Sequence, residues 1–194
     1  MAADLHGGTK HTTEKTVKFE VERKFRVPPN FKETLKTKGA RLLQETAFTD
    51  VYFDAPNHKL TLMGCWLRKR DRKWELKIQK LKNFDCGIES NAEIEDEREI
   101  LNELSERLTT CHSRVERDSY YSVEDFLQRT SCEQIACFTT QRSVYEMPNG
   151  VIIDLDEATF GYQVGELEII VSSEKEVDSA RRTIQKTAEI LGMH

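Results

Sequence analysis

Hydrophobic and polar residues alternate along much of the chain, and changes in the period of that alternation separate strands from helices. In VKFEVERKFRV (17–27), Val17, Phe19, Val21, Phe25 and Val27 share one face of a period-two pattern, with Arg23 the exception. Lys18, Glu20, Glu22, Lys24 and Arg26 fill the opposite face, as a strand requires. Pro28, Pro29 and Asn30 stop this strand and open a short helix through Phe31 and Leu35, which Gly39 ends. LLQETAFTDVYFDAP predicts a strand holding Tyr52 and Asp54, closed by a turn at Pro56 and Asn57. From Leu60 a short strand is expected, then a hairpin with arms CWLRKR and WELKIQ around Asp71, Arg72 and Lys73.

The acid-rich segment 89–107 begins as a strand and passes into an amphipathic helix marked by Ile100, Leu101, Leu104 and Leu108. VEDFLQRT predicts another short helix. ACFTTQRSVYE, the turn MPNG, VIIDLDEATF and VGELEIIVSS then read as antiparallel strands. EKEVDSARRTIQKTAEILG places Val177, Ala180, Ile184, Ala188 and Leu191 near one helical face, a helix packed outside the sheet. Residues 1–15 are polar and aperiodic and are expected to form a mobile arm ahead of one domain over 16–194.

Charge recurs on one face of strand after strand. Trp66, Arg68 and Arg70 share a face, and Glu75 and Lys77 oppose Trp74, Leu76 and Ile78. Ile152, Asp154 and Asp156 oppose Val151, Ile153 and Leu155, while Glu166 and Glu168 oppose Leu167 and Ile169. One arrangement is an open sheet with a solvated outer face. The other is a closed antiparallel barrel whose apolar faces lie outside under the helices and whose charged faces line the interior.

In a barrel, such an interior has to be wet and liganded, because an ion stripped of water without a partner is strongly disfavoured. The basic side comprises Lys24, Arg68, Arg70, Lys77 and Arg142; the acidic side comprises Glu20, Glu22, Asp154, Glu166 and Glu168. Guanidinium and ammonium groups suit phosphate oxygens, and clustered carboxylates suit a hard divalent cation such as Mg2+ or Mn2+. A polyphosphate bound together with metal ions needs both sets at once.

Composition narrows the classes. A 194-residue chain with 38% apolar and 32% charged residues fits a globular protein, and a net charge of −5 argues against a general binder of nucleic acid or anionic membrane. No apolar run reaches membrane-spanning length, and MAADLHGGTKHTTEK lacks the apolar core of a signal peptide, so a cytoplasmic location is expected. The five cysteines include no C-x-x-C pair, and most are expected to be reduced, packed thiols.

EVERKF, with Glu20, Glu22 and Lys24, resembles the E-x-E-x-K signature of the CYTH family, the triphosphate tunnel metalloenzymes. WLRKR, WELK, the lone arginine of TTQRS, IDLD and GELE follow in the family's order over residues 18 to 171. The resemblance implies an α+β fold: a closed antiparallel eight-stranded β-barrel, the triphosphate tunnel, with helices packed outside. VERKF, the YFD block, CWLRKR with WELK, and DLDEATFGYQVGELE are most similar to the animal branch that hydrolyses thiamine triphosphate to thiamine diphosphate and phosphate.

By that resemblance Lys24, Arg68, Arg70, Lys77 and Arg142 grip the triphosphate, and Glu20, Glu22, Asp154, Glu166 and Glu168 hold Mg2+ or Mn2+. Tyr52 and Lys77 match a catalytic dyad, the alternative being a Tyr52 hydroxyl held by an ordinary hydrogen bond. Trp66 serves either to stack on the thiazolium or aminopyrimidine ring or to pack the barrel mouth. The expected partner is a small-molecule triphosphate, acted on by a monomer without nucleic acid or membrane. Two departures are expected to alter the mouth. ILGMH follows the last helix where that branch carries a further lysine-bearing segment, and the 71–73 and MPNG connections are short. The rival readings are an inorganic or nucleoside triphosphatase of the same family and a non-catalytic polyphosphate-binding module.

Overall fold

The computed structural model describes residues 18–83, 87–108 and 120–193, so the arm expected over 1–15, Cys86 and Cys111 lie outside the described residues. The alternating segments form eight strands: β1 (Lys18–Phe25), β2 (Arg41–Asp54), β3 (Cys65–Arg70), β4 (Lys73–Asn83), β5 (Ile88–Ile94), β6 (Glu133–Glu146), β7 (Ile152–Ala158) and β8 (Gln163–Val171). They close into a barrel in the order β1-β5-β4-β3-β2-β6-β7-β8, with every neighbouring pair antiparallel. The helices are α1 (Phe31–Thr37), α2 (Lys59–Leu62), α3 (Glu97–Leu108), α4 (Val123–Arg129) and α5 (Val177–Ile190). No helix among the described residues is long and apolar enough to cross a membrane.

The hydrophobic core lies outside the barrel rather than in it. Val21, Ile153, Leu155 and Leu167 turn outward from β1, β7 and β8 and are buried beneath Phe31 and Leu35 of α1 and Val177, Ala180, Ile184 and Ala188 of α5. Leu67, Trp74, Leu76 and Ile78 turn outward from β3 and β4 and are buried beneath Leu60, Ile100, Leu104, Val123 and Phe126 from α2, α3 and α4. Each such side chain contributes roughly 1.5–3 kcal/mol by leaving water. Because side chains alternate along a strand, burying these positions outward forces the intervening charged positions into the lumen.

One predicted element is replaced. The short strand expected from Leu60 is helix α2, entered through a 3-10 turn at Pro56–His58 in which Asn57 and His58 adopt left-handed backbone angles. The buried Asp54 carboxylate at the end of β2 accepts the Ala55 and Leu60 amides at 2.7 and 2.8 Å and the Thr61 amide and hydroxyl at 3.2 and 2.6 Å. This satisfies helix-start donors that lack intrahelical partners, while Leu60 is anchored under α3 and α4.

Candidate active site

The barrel encloses a cavity of about 630 Å³, and each of the twelve residues singled out from the sequence lines it. Strand register explains their convergence. Across β1 and β8, Glu22 faces Glu168 and Lys24 faces Glu166; across β7 and β8, Asp154 faces Glu166. Trp66 faces Lys77 across β3 and β4, and Tyr52 faces Arg68 across β2 and β3.

Each of the five cations meets carboxylates. Lys24 Nζ contacts Glu22 at 2.6 Å and Glu166 at 2.8 Å. Lys77 binds Glu20, reaches Glu22 at 2.8 Å and lies 3.8 Å from Glu93. Burial works against both ammonium groups, but the surrounding glutamates outweigh it and raise their pKa values. Arg68 donates to Glu75 at 2.7 Å, and Arg142 forks onto Asp156 at 2.7 and 2.6 Å while also contacting Asp154. Arg70 forks onto Asp50 at 2.8 Å for both bonds. The Phe48 ring underlies two guanidinium groups, 3.9 Å from Arg70 and 5.2 Å from Arg142.

The carboxylates divide into two groups. Glu20 and Glu22 engage Lys77, and Glu22, only 1% exposed as a residue, is further fixed by the Asn91 amide at 3.1 Å. Asp154, Glu166 and Glu168 instead offer oxygens within 4.8 Å of one another. Burial, then Glu20 and Asp154, push the Glu168 carboxyl up to about 9. Burial likewise raises Asp154 to about 6, against the pull of Arg142, and its Oδ1 is buried without a hydrogen-bond partner. Crowded carboxylates, with Glu168 holding a proton and Asp154 an orphaned oxygen, fit a hard divalent cation that would replace the proton and complete the bonding.

The Tyr52 hydroxyl lies 3.4 Å from an Arg68 guanidinium nitrogen, while the short bonds of Lys77 go to Glu20 and Glu22. Sequence reasoning passed over Asp50, Asp156 and Asn91 as site residues. The first two share strand parity with Tyr52 and Asp154, a signal sufficient to find them; Asn91 sits between Glu89 and Glu93 on the inward face of β5. Phe138, Phe160 and Tyr162 also line the cavity and were not singled out.

An eight-stranded tunnel walled by paired cations and carboxylates defines a class, and the chain belongs to it: the CYTH domain matches residues 18–194. The chain is 32% identical over 183 residues to the thiamine-triphosphatase of Homo sapiens and 31% identical over 183 residues to that of Macaca fascicularis. Each alignment covers 90% of this chain and 77% of the relative. Among solved structures, the PH1819 protein of Pyrococcus horikoshii OT3 superposes with a TM-score of 0.61 at 19% identity, covering 90% of this chain and 91% of that one. It shares the fold.

Proposed function

We propose that this chain hydrolyses thiamine triphosphate to thiamine diphosphate and phosphate with a divalent cation, Mg2+ or Mn2+, acting as a cytoplasmic monomer on a small-molecule substrate. The observation that carries the reading is the meeting of five cationic and nine acidic side chains on the wall of one cavity. The identity to two thiamine-triphosphatases supports the choice of substrate.

Lys24, Arg68, Arg70, Lys77 and Arg142 bind the triphosphate oxygens. Asp156 and Asp50 hold the forks of Arg142 and Arg70 in place. Lys24 and Lys77 exchange their present glutamate partners for phosphate. Asp154, Glu166 and Glu168, with Glu20 and Glu22 beside them, hold the cation, which supplies neutralisation of charge around the reacting phosphorus. Tyr52 Oη and the Lys77 ammonium orient water for in-line attack on the terminal phosphorus; as the new P–O bond forms and the bridging P–O bond breaks, the water's proton passes to a phosphate oxygen, and Trp66 stacks against a thiamine ring.

Phosphate release from thiamine triphosphate, inorganic triphosphate and ATP, with and without Mg2+ and with Ca2+ competing, tests this. Preferential Mg2+-dependent turnover of thiamine triphosphate is expected. Comparable turnover of all three removes the thiamine assignment, and binding without turnover replaces the enzyme by a polyphosphate-binding module.

A further inference from the structure

A row of aromatic rings runs from the phosphate-binding side chains to an opening of the cavity. Tyr52 on β2 stacks on Phe138 of β6, with centroids 5.8 Å apart and planes 19° from parallel. Phe138 meets Phe160 nearly edge-on at 5.4 Å, and Phe160 lies 6.2 Å from Tyr162, 18° from parallel. The tight turn between β7 and β8 fixes the last two rings. Gly161 takes φ +86, its amide donates to Ala158 O at 2.8 Å, and the Ala158 amide donates to Tyr162 O at 2.9 Å.

The two ends of this row differ. At the inner end, Tyr52 touches Arg68; at the outer end, Phe160 and Tyr162 are 66% and 58% exposed although both line the cavity. Large aromatics held in water on a rigid turn, continuous with a site for anions, mark a ligand surface. Inorganic triphosphate has no apolar surface to cover them, whereas a flat ring joined to a triphosphate does. Electron-rich ring faces also favour a cationic ring.

Resting on the triphosphate-hydrolase reading above, we propose that Phe160 and Tyr162, backed by Phe138, form the subsite for the flat, cationic ring system of an organic triphosphate. They thereby set its preference over inorganic triphosphate. The ring that Trp66 does not stack on lies along the row, while the triphosphate extends inward past Tyr52 to Arg68.

The test uses the full chain and its Phe160→Ala, Tyr162→Ala and Tyr162→Phe variants. Steady-state kinetics with Mg2+ and calorimetric binding without it are measured for thiamine triphosphate and inorganic triphosphate. Either alanine variant is expected to raise KM for thiamine triphosphate about tenfold with little change in kcat, and Tyr162→Phe to restore it. Inorganic triphosphate should respond alike in all four proteins. Equal losses for both ligands, or no loss for either, overturn the subsite. So does a change in molar mass by light scattering without a change in ligand response, which would make the row a contact between chains. If the wild-type chain turns over neither compound, the hydrolase reading fails while the binding comparison still decides the subsite. Tighter binding of thiamine triphosphate, lost in the alanine variants, upholds it; equal binding of the two ligands rejects it.

Discussion

Arg70 and Asp50 are locked face to face across β2 and β3, two bonds of 2.8 Å joining the guanidinium fork to both carboxylate oxygens above the Phe48 ring. Asp50 is buried, so removing its partner strands a charge. Arg70→Ala is expected to lose about 3–5 kcal/mol of stability in urea unfolding, beyond its loss of phosphate binding. Asp50→Asn keeps a neutral acceptor and loosens the fork. It should leave the protein folded and raise KM for triphosphate with a smaller change in kcat. An unchanged KM in Asp50→Asn would show that the fork needs no holder.

Glu168 and Asp154 give the cation site a definite response to pH. With its pKa raised to about 9 in the folded chain, Glu168 holds a proton that the unfolded chain releases near the ordinary value of 4.5. A carboxyl shifted upward stabilises the native state fully below its unfolded pKa, and that contribution is lost as pH rises through the folded pKa. In chelator, Tm should therefore decline between pH 5 and about 9 more steeply for the wild type than for Glu168→Gln. Binding of Mg2+ at pH 8 should release about one proton, seen as a heat that varies with the ionisation enthalpy of the buffer. The release should vanish in Glu168→Gln. A wild-type heat independent of buffer would exclude a protonated Glu168.

The interior charges were legible because a strand's period is two: once Leu67, Leu76, Ile153 and Leu167 are assigned outward, Arg68, Lys77, Asp154 and Glu166 must point inward. Asp50 has the same parity as Tyr52, two residues away, but a lone acid on a strand is equally at home on a solvated face, and only its fork with Arg70 marks it as part of the site. Helix α2 was not legible, since its start depends on left-handed Asn57 and His58 and on Asp54 reaching forward to Leu60 and Thr61. Nor was the division of the acids. Parity places Glu20 and Glu168 in the same lumen, but only three-dimensional register gives the first to Lys77 and the second to the Asp154 cluster. Phe160 and Tyr162 flank a turn, where no periodicity announces a wall.

Gly165 faces Phe25 across β1 and β8, and a Cβ added there would lie 2.1 Å from the ring. Phe25 is itself held edge-on against Phe31 of α1 at 5.2 Å, so the ring withdraws only by disturbing that packing. Gly165→Ala is expected to destabilise the fold by roughly 1–3 kcal/mol. Phe25→Ala in the same chain should recover part of that loss, giving a favourable coupling in a double-mutant cycle. Strict additivity of the two urea midpoints would mean that the ring and the added methyl do not compete.

Tyr52 and Lys77 are assigned a shared role in orienting the attacking water, yet their present contacts differ, and the difference separates a catalytic hydroxyl from a structural one. Tyr52→Phe removes only an oxygen that lies 3.4 Å from Arg68 and keeps the stack on Phe138. If Tyr52 Oη helps orient the attacking water, kcat should drop by about a hundredfold with KM for thiamine triphosphate nearly constant. If the hydroxyl only steadies Arg68, KM should rise instead. Lys77→Ala strips Glu20 and Glu22 of their common partner, so it should depress kcat and also alter the Mg2+ concentration giving half-maximal rate. Phosphate-release kinetics on the two single variants and the double variant decide the matter: a shared step makes the double variant little worse than the poorer single, and independent roles multiply.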